Sequence, residues 1–305
     1  MPVYAAKRFG IALLVLFVVS VLTFTFTNVA VDPAIAIAGE GASDAQIERL
    51  RRDYGFDRPL YVQYGEWLSG TLAGDFGTSI RQRRPVVTML VEKFPVTATV
   101  GSLALILAFV VAVPLGMAAA LRPNSWIDRF ALGFAVIGMA MPTFWFGLVL
   151  IIVFGVTLHW LPVSGTGTAA HFVMPAIALS YYSIPIIMRL TRAGMIDVMA
   201  SDYIRTARAK GLLPRTVLFK HALRNAVIPV VAVAAVQFGH LLAGSVVVES
   251  VFALHGIGYM AWEALHAADL PVIQAVVVVL AGFYILLVFL SDLLNAFLDP
   301  RIRIA

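Results

Sequence analysis

The sequence predicts an all-α, polytopic integral membrane protein with six transmembrane helices and both termini in the cytoplasm. Three observations carry that prediction: an excess of apolar residues, their collection into long charge-free runs, and an uneven placement of basic residues. Of the 305 residues, 61% are hydrophobic and 13% charged, against roughly 45–50% and about 25% in soluble domains. Mean hydropathy is +0.91, more than a water-soluble fold of this size has interior to bury. The 20 Phe exclude a disordered chain. With no Cys, disulfides, thiolate metal sites, Fe–S clusters and cysteine nucleophiles are excluded together.

A membrane-crossing helix needs about 20 apolar residues. Runs of that order place spans near residues 9–31, 95–121, 130–157, 172–190, 226–248 and 271–292. No charge interrupts Phe130 to Met188, which is too long for one helix, and the turn-rich Leu161–Gly167 stretch divides it. The first run, preceded by Lys7 and Arg8 and followed by Ala36-Ile37-Ala38, has some features of a cleaved signal. Its apolar part exceeds the roughly 7–15 residues of a signal core, so it reads as a retained anchor.

Charge sets the orientation. With the N-terminus inside, the inner segments hold 14 of the 22 Lys and Arg residues: Lys7, Arg8, Arg122, Arg129, eight between Arg189 and Arg224, and Arg301 and Arg303. The remaining 8 lie in segment 32–93 beside 9 acids, and a loop of that length is largely exempt from the positive-inside rule. The short outer loops 158–171 and 249–269 carry no Lys or Arg. Segment 32–93 is too polar to be membrane. Within it Asp44–Tyr54 reads as a short amphipathic helix, from the spacing of Ile47, Leu50 and Tyr54, and residues 70–85 are turn-rich. It serves either as a solvated loop or as an outer docking or gating element.

Enzyme signatures are missing. There is no two-His zinc spacing and no G-x-S-x-G elbow, and none of Lys7, Lys93, Lys210 and Lys220 is followed by Ser or Thr as a phosphate loop requires. Ion-coupled carriers hold ionisable residues at mid-membrane. Here only His240 qualifies, while Glu249 and Asp292 fall near span ends, where carboxylates face water or cap neighbours. An ion-coupled secondary transporter and a membrane-embedded enzyme remain the alternative readings.

The most unusual stretch is cytoplasmic: SDYIRTARAKGLLPRTVLFKHALRNAVIP, residues 201–229. It is too polar to span and too well patterned for a loop. Ser201 or Asp202 suits a helix N-cap, Gly211 the positive-φ position after a helix end, and Pro214 the first turn of a second helix. Two short helices with an elbow between them follow. Tyr203, Ala207 and Gly211 would form a small-residue face, with Arg205, Arg208 and Lys210 pointing elsewhere; a basic helix lying on anionic lipid is the plainer reading of the same residues.

The segment resembles the cytoplasmic "EAA" loop of ABC importer permeases. In YIRTARAKGL followed by HALRNAVIP it is similar to the dipeptide/oligopeptide/nickel permeases. YGFDRPLYVQYGEWLSGTLAGDFGTSI, RRPVVTMLVEKFPVTATVG, LAGSVVVESVF and HGIGYM agree, so the resemblance runs from about Lys7 to Arg303. The long loop after the first helix resembles the first, B-type, subunit. Arg205-Thr206-Ala207 replaces the wider Glu-Ala-Ala, His255 replaces a usual Pro, and Ala268-Asp269-Leu270-Pro271 departs from the family's Arg-Asp-Tyr-Pro. The resemblance implies a type I ABC importer permease fold in the bacterial inner membrane, forming half of a pore for peptides or similar small solutes. It implies a second homologous permease, two ABC ATPase subunits that bind the ATP and Mg, and an extracytoplasmic solute-binding protein; no nucleic acid and no cofactor in this chain. It also implies that segment 200–224 couples to the ATPase through Tyr203, Ala207, Gly211, Arg205 and Arg208. Movement of the bundle would use Pro114, Gly116, Gly138, Pro142, Pro175 and Pro185 as kinks.

Overall fold

The computed structural model describes residues 2–30, 32–39 and 41–298, so Val31, Arg301 and Arg303 lie outside the described residues. Helix α1 (Pro2–Ala30) leads into three short helices, α2 (Pro33–Ala38), α3 (Asp44–Asp53) and α4 (Leu60–Leu72). Then come α5 (Val86–Leu121), α6 (Trp126–Ala140) and α7 (Thr143–Leu150), the last continued by a π-helical turn, Ile151–Thr157. A 3-10 turn (Ala169–Phe172) opens α8 (Val173–Ser180), followed by α9 (Ile184–Met199) and α10 (Asp202–Ala209). Next, α11 (Pro214–Thr216), a π-helical stretch (Val217–Leu223) and α12 (Arg224–Ala226) run to α13 (Ile228–Val251). Helices α14 (Ile257–His266) and α15 (Leu270–Leu298) complete the described chain.

Four helices, α1, α5, α13 and α15, are each long and apolar enough to cross a membrane. The third and fourth expected spans are bent pairs instead of straight rods. Trp126–Ala140 and Thr143–Thr157 meet at 102°, and Ala169–Ser180 and Ile184–Met199 at 60°. A proline stands at each break. Met141, before Pro142, is extended (φ −83°, ψ 131°), because a Pro ring clashes with a helical predecessor. Pro185 stands in the first turn of α9, where its missing N–H costs nothing.

The other expected kinks serve differently. Pro114 lies inside an unbroken α5, and Pro175 in the first turn of α8. Gly116 is a packing position: a Cβ there would stand 2.5 Å from the Met188 carbonyl oxygen, so only glycine lets α9 come this close. A Cβ at Gly138 would stand 3.4 Å from the Pro185 ring. The inward stripe of α5 is made of Ala104, Ala108, Ala112, Gly116 and Ala119, small residues that admit α8 and α9.

Two boundaries differ from the sequence reading. Helix α5 begins at Val86, nine residues before the expected 95, and includes Glu92 and Lys93. Its 36 residues make a rod of about 54 Å against a hydrocarbon core of about 30 Å, so its charged first turns extend beyond the apolar layer. The fourth span continues past 190 to Met199. In segment 32–93, α3 matches the expected amphipathic helix, whereas α4 was not foreseen; it is held by Tyr64 and Trp67 packing on Phe24 of α1.

Candidate functional site

Segment 200–224 folds as two short helical pieces at the end of the bundle where α5 ends. Ser201 is the N-cap of α10 by backbone, with its hydroxyl turned back to the Val198 carbonyl at 2.6 Å. The C-terminus of α10 closes with a paired lock. The Gly211 amide donates to the Arg208 carbonyl (2.9 Å) and the Leu212 amide to the Ala207 carbonyl (3.3 Å), the Schellman pattern. Gly211 holds φ +73°, the left-handed value that its residue type suggested. Pro214 begins α11. Across the elbow, Asn225 donates to the Tyr203 hydroxyl at 2.8 Å, which fastens the two pieces to each other.

The faces of α10 require one correction. Ala207 does not lie on an outward small-residue face. It is buried with Ile204 among Ala120, Met195, Val217, Ala222 and Ala226 of the same chain, because the amphipathic period turns 204 and 207 inward together. Arg205, beside its ion-pair partner Asp202, and Arg208 face solvent. So do Tyr203, Leu212, Leu213 and Phe219, with Leu213 72% exposed. The outward surface therefore has an exposed apolar tip at Leu212 and Leu213, with Tyr203, Phe219 and the arginines also exposed, and Gly211 has nothing within 4 Å of a would-be Cβ.

Two features behind this segment were not read from sequence. Arg192 of α9 donates two hydrogen bonds to the Asp128 carboxylate, at 2.6 and 2.8 Å. Asp128 is also the acceptor for the Asn124 amide (2.9 Å) and is almost fully buried. Its signal was available: it is the sole acid between Glu92 and Asp197. In addition, Gly194 of α9 meets the Ala226 carbonyl, 2.7 Å from a would-be Cβ.

At the opposite end, polar side chains cap helices. Glu249 accepts from the Thr97 hydroxyl (2.7 Å) and from the Tyr259 amide (3.0 Å), and Thr97 accepts from the Ile257 amide (2.8 Å). The pair holds the N-terminus of α14, one of the two roles expected of a carboxylate near a span end. Asp269 accepts from the Ser79 hydroxyl (2.5 Å) and the Ile80 amide (3.1 Å), clamping segment 32–93 to the start of α15. Arg51 reaches Asp32 at 2.5 Å. Burial pushes the Asp32 carboxyl up, but the Arg51 hydrogen bond and the amides of α2 outweigh it and hold it below its ordinary value. A cavity of about 780 Å³ opens here, lined by Phe24, Asn28, Trp67, Arg83 and Gln274 among others. His240 rests its ring against Tyr284 of α15, and Asp292 pairs with Arg8 at 3.0 Å.

Two family descriptions match this chain: "binding-protein-dependent transport system inner membrane component" over residues 112–304 and its N-terminal counterpart over 1–101. The chain belongs to this family. The glutathione transport system permease protein GsiC of Escherichia coli (strain K12) is 40% identical over 301 residues, 98% of each chain. A chain of the MetNI methionine ABC transporter, solved in inward-facing conformations, superposes with a TM-score of 0.57 at 20% identity, over 68% of this chain and 95% of that one. That likeness shows the shared type I permease fold. The protein is thus a multi-pass membrane permease subunit of an ABC importer, a transport component and not an enzyme. As such it works with ATPase and binding-protein partners.

Proposed function

We propose that this permease is the B-type subunit of a bacterial inner-membrane importer of peptides or similar small solutes, pairing with a second, homologous permease to enclose the pore. Two ATPase subunits bind ATP and Mg and dock on segment 200–224, and an extracytoplasmic binding protein delivers the solute. Both termini and segment 200–224 are cytoplasmic, and 32–93 lies outside. Peptide-like cargo is supported by the likeness to GsiC, since glutathione is itself a peptide.

The observation that carries the docking reading is the outward surface of segment 200–224. Tyr203, Leu212, Leu213 and Phe219 stay exposed on a piece whose other side, Ile204 and Ala207, is fully packed. An apolar tip at the membrane edge with exposed Arg205 and Arg208 fits a protein partner of the interface type, aromatic and aliphatic anchors within a charged rim. Ala207 contributes by packing the inner side of α10, and Gly211 by turning the chain. The test is Leu213→Asp in the complete complex. Retention of the ATPases on the tagged permease should fall at least about tenfold, the effect of losing a central apolar anchor, with membrane insertion unchanged. Normal retention and normal uptake would overturn the reading. Competition of dipeptides, glutathione and nickel chelates for uptake into vesicles carrying the complete complex identifies the solute.

A further inference from the structure

We propose that the Asp128–Arg192 ion pair is the link that makes α6, and through its 102° break α7, follow α9 when the ATPases displace segment 200–224; this rests on the docking reading above. Three observations converge. The first is where Arg192 stands. Helix α9 runs into α10 through Ala200 and Ser201 alone, so displacement of α10 pulls directly on α9. Around Arg192, α9 is already fixed on two sides by glycine contacts, Gly116 of α5 against the 188–192 backbone and Gly194 against Ala226 below α13.

The second is what holds α6. Its buried residues are Asp128, Ala131, Ala135 and Gly138, a stripe whose only large member is the aspartate. Phe130, Val136 and Ile137 are each about 60% exposed or more and face away. Small-residue contacts set how closely the helices approach, whereas a two-pronged guanidinium–carboxylate pair also fixes the angle between its partners.

The third is the far end of the same two helices. Gly138 sits against Pro185, and the Tyr181 hydroxyl donates to the Met141 carbonyl at the break into α7. Helices α6 and α9 are therefore joined at one end by the ion pair and at the other beside the break. A shift of α9 is carried to α7 without passing through lipid-facing side chains. Asp128 and Arg192 are positioning residues: they touch neither nucleotide nor solute, and they act by keeping ATP hydrolysis and pore movement in step.

The experiment uses the reconstituted complex with ATPases and binding protein, and reads the ATP hydrolysed per solute imported. In Asp128→Asn and in Arg192→Gln that ratio should rise about tenfold, within the usual range of coupling between sites, with the ATPases retained on the permease as in the unaltered complex. The exchange Asp128→Arg with Arg192→Asp should bring the ratio back toward the unaltered value. Because the chain has no Cys, a Asp128→Cys, Arg192→Cys variant adds a switchable form, uncoupled as free thiols and recoupled once a short bifunctional thiol reagent bridges them. An unchanged ratio in the single variants or in the free-thiol form overturns the proposal. So does a bridged form that stays uncoupled, since that marks a packing role only. Loss of ATPase retention on Leu213→Asp is read separately, so failure of the docking reading is distinguished from failure of the link.

Discussion

Ala207→Glu places a carboxylate among the apolar side chains Met195, Ile204, Val217 and Ala222. Leaving an uncompensated charge in such a cluster costs about 3–5 kcal/mol. The expected outcome is a lower melting temperature of the detergent-extracted permease itself, followed by tryptophan fluorescence. Unchanged melting together with lost ATPase retention would instead place 207 at the partner interface. Gly211 is the complementary case. Its φ of +73° is costly for any residue with a Cβ, yet no atom lies within 4 Å of that Cβ. Gly211→Val therefore loses conformational energy and not packing, about 1–2 kcal/mol. Gly211→Asn should lose less, because Asn enters the left-handed region more readily. Equal melting losses for Val and Asn would reject this account.

At the scale of elements, the bundle is organised by what happens at helix ends. Helix α14 has no side-chain cap of its own at Gly256 and borrows Thr97 of α5 and Glu249 of α13. Glycine is required at 256 because Glu249 and Thr97 oxygens stand 2.4 and 2.5 Å from a would-be Cβ, and at 258 because the Val246 backbone stands 2.6 Å from one. Thr97→Val removes the donor to Glu249 and the acceptor for the Ile257 amide. Each group left unpaired in a buried site costs about 1–3 kcal/mol. Hydrogen exchange of the first amides of α14 should accelerate while α9 and α10 keep their protection. Unaltered exchange in α14 would show that the cap is dispensable. Segment 200–224 follows the same logic. The Schellman lock at Gly211 and the Tyr203–Asn225 bond hold the two short pieces in one shape beside the exposed Leu213.

At the scale of the whole molecule, one end of the bundle carries the basic segment 200–224 and the Asp128–Arg192 pair, and the other carries α2 to α4, α14 and the 780 Å³ cavity. The proposed orientation puts the first end in the cytoplasm. Cysteines introduced singly at Ser69 and Ser201 of this Cys-free chain are expected to react from opposite sides. An impermeant reagent applied outside intact cells should label 69 and spare 201. Labelling of both, or of 201 alone, would reject that topology.

Composition and the long charge-free runs by themselves determined that this chain is a helical membrane protein, since no soluble fold hides so much apolar surface. The order of apolar runs located α1, α5, α13 and α15, and Ser201, Gly211 and Pro214 marked the ends of the 200–224 helices, because caps and positive-φ turns are written in single residue types. Tertiary structure alone decided which side of α10 faces in. Period 3.6 groups Ile204 with Ala207 and gives no sign of whether the neighbour is this chain or another. The same limit applies to Asp128 with Arg192, Thr97 with Glu249 and Ser79 with Asp269, which are 64, 152 and 190 residues apart. Pairs at such separations follow from how helices pack. The breaks at Pro142 and Pro185, and the unbroken helix at Pro114, were settled the same way: a proline removes one amide donor wherever it stands, and only the packing around it determines whether the helix bends.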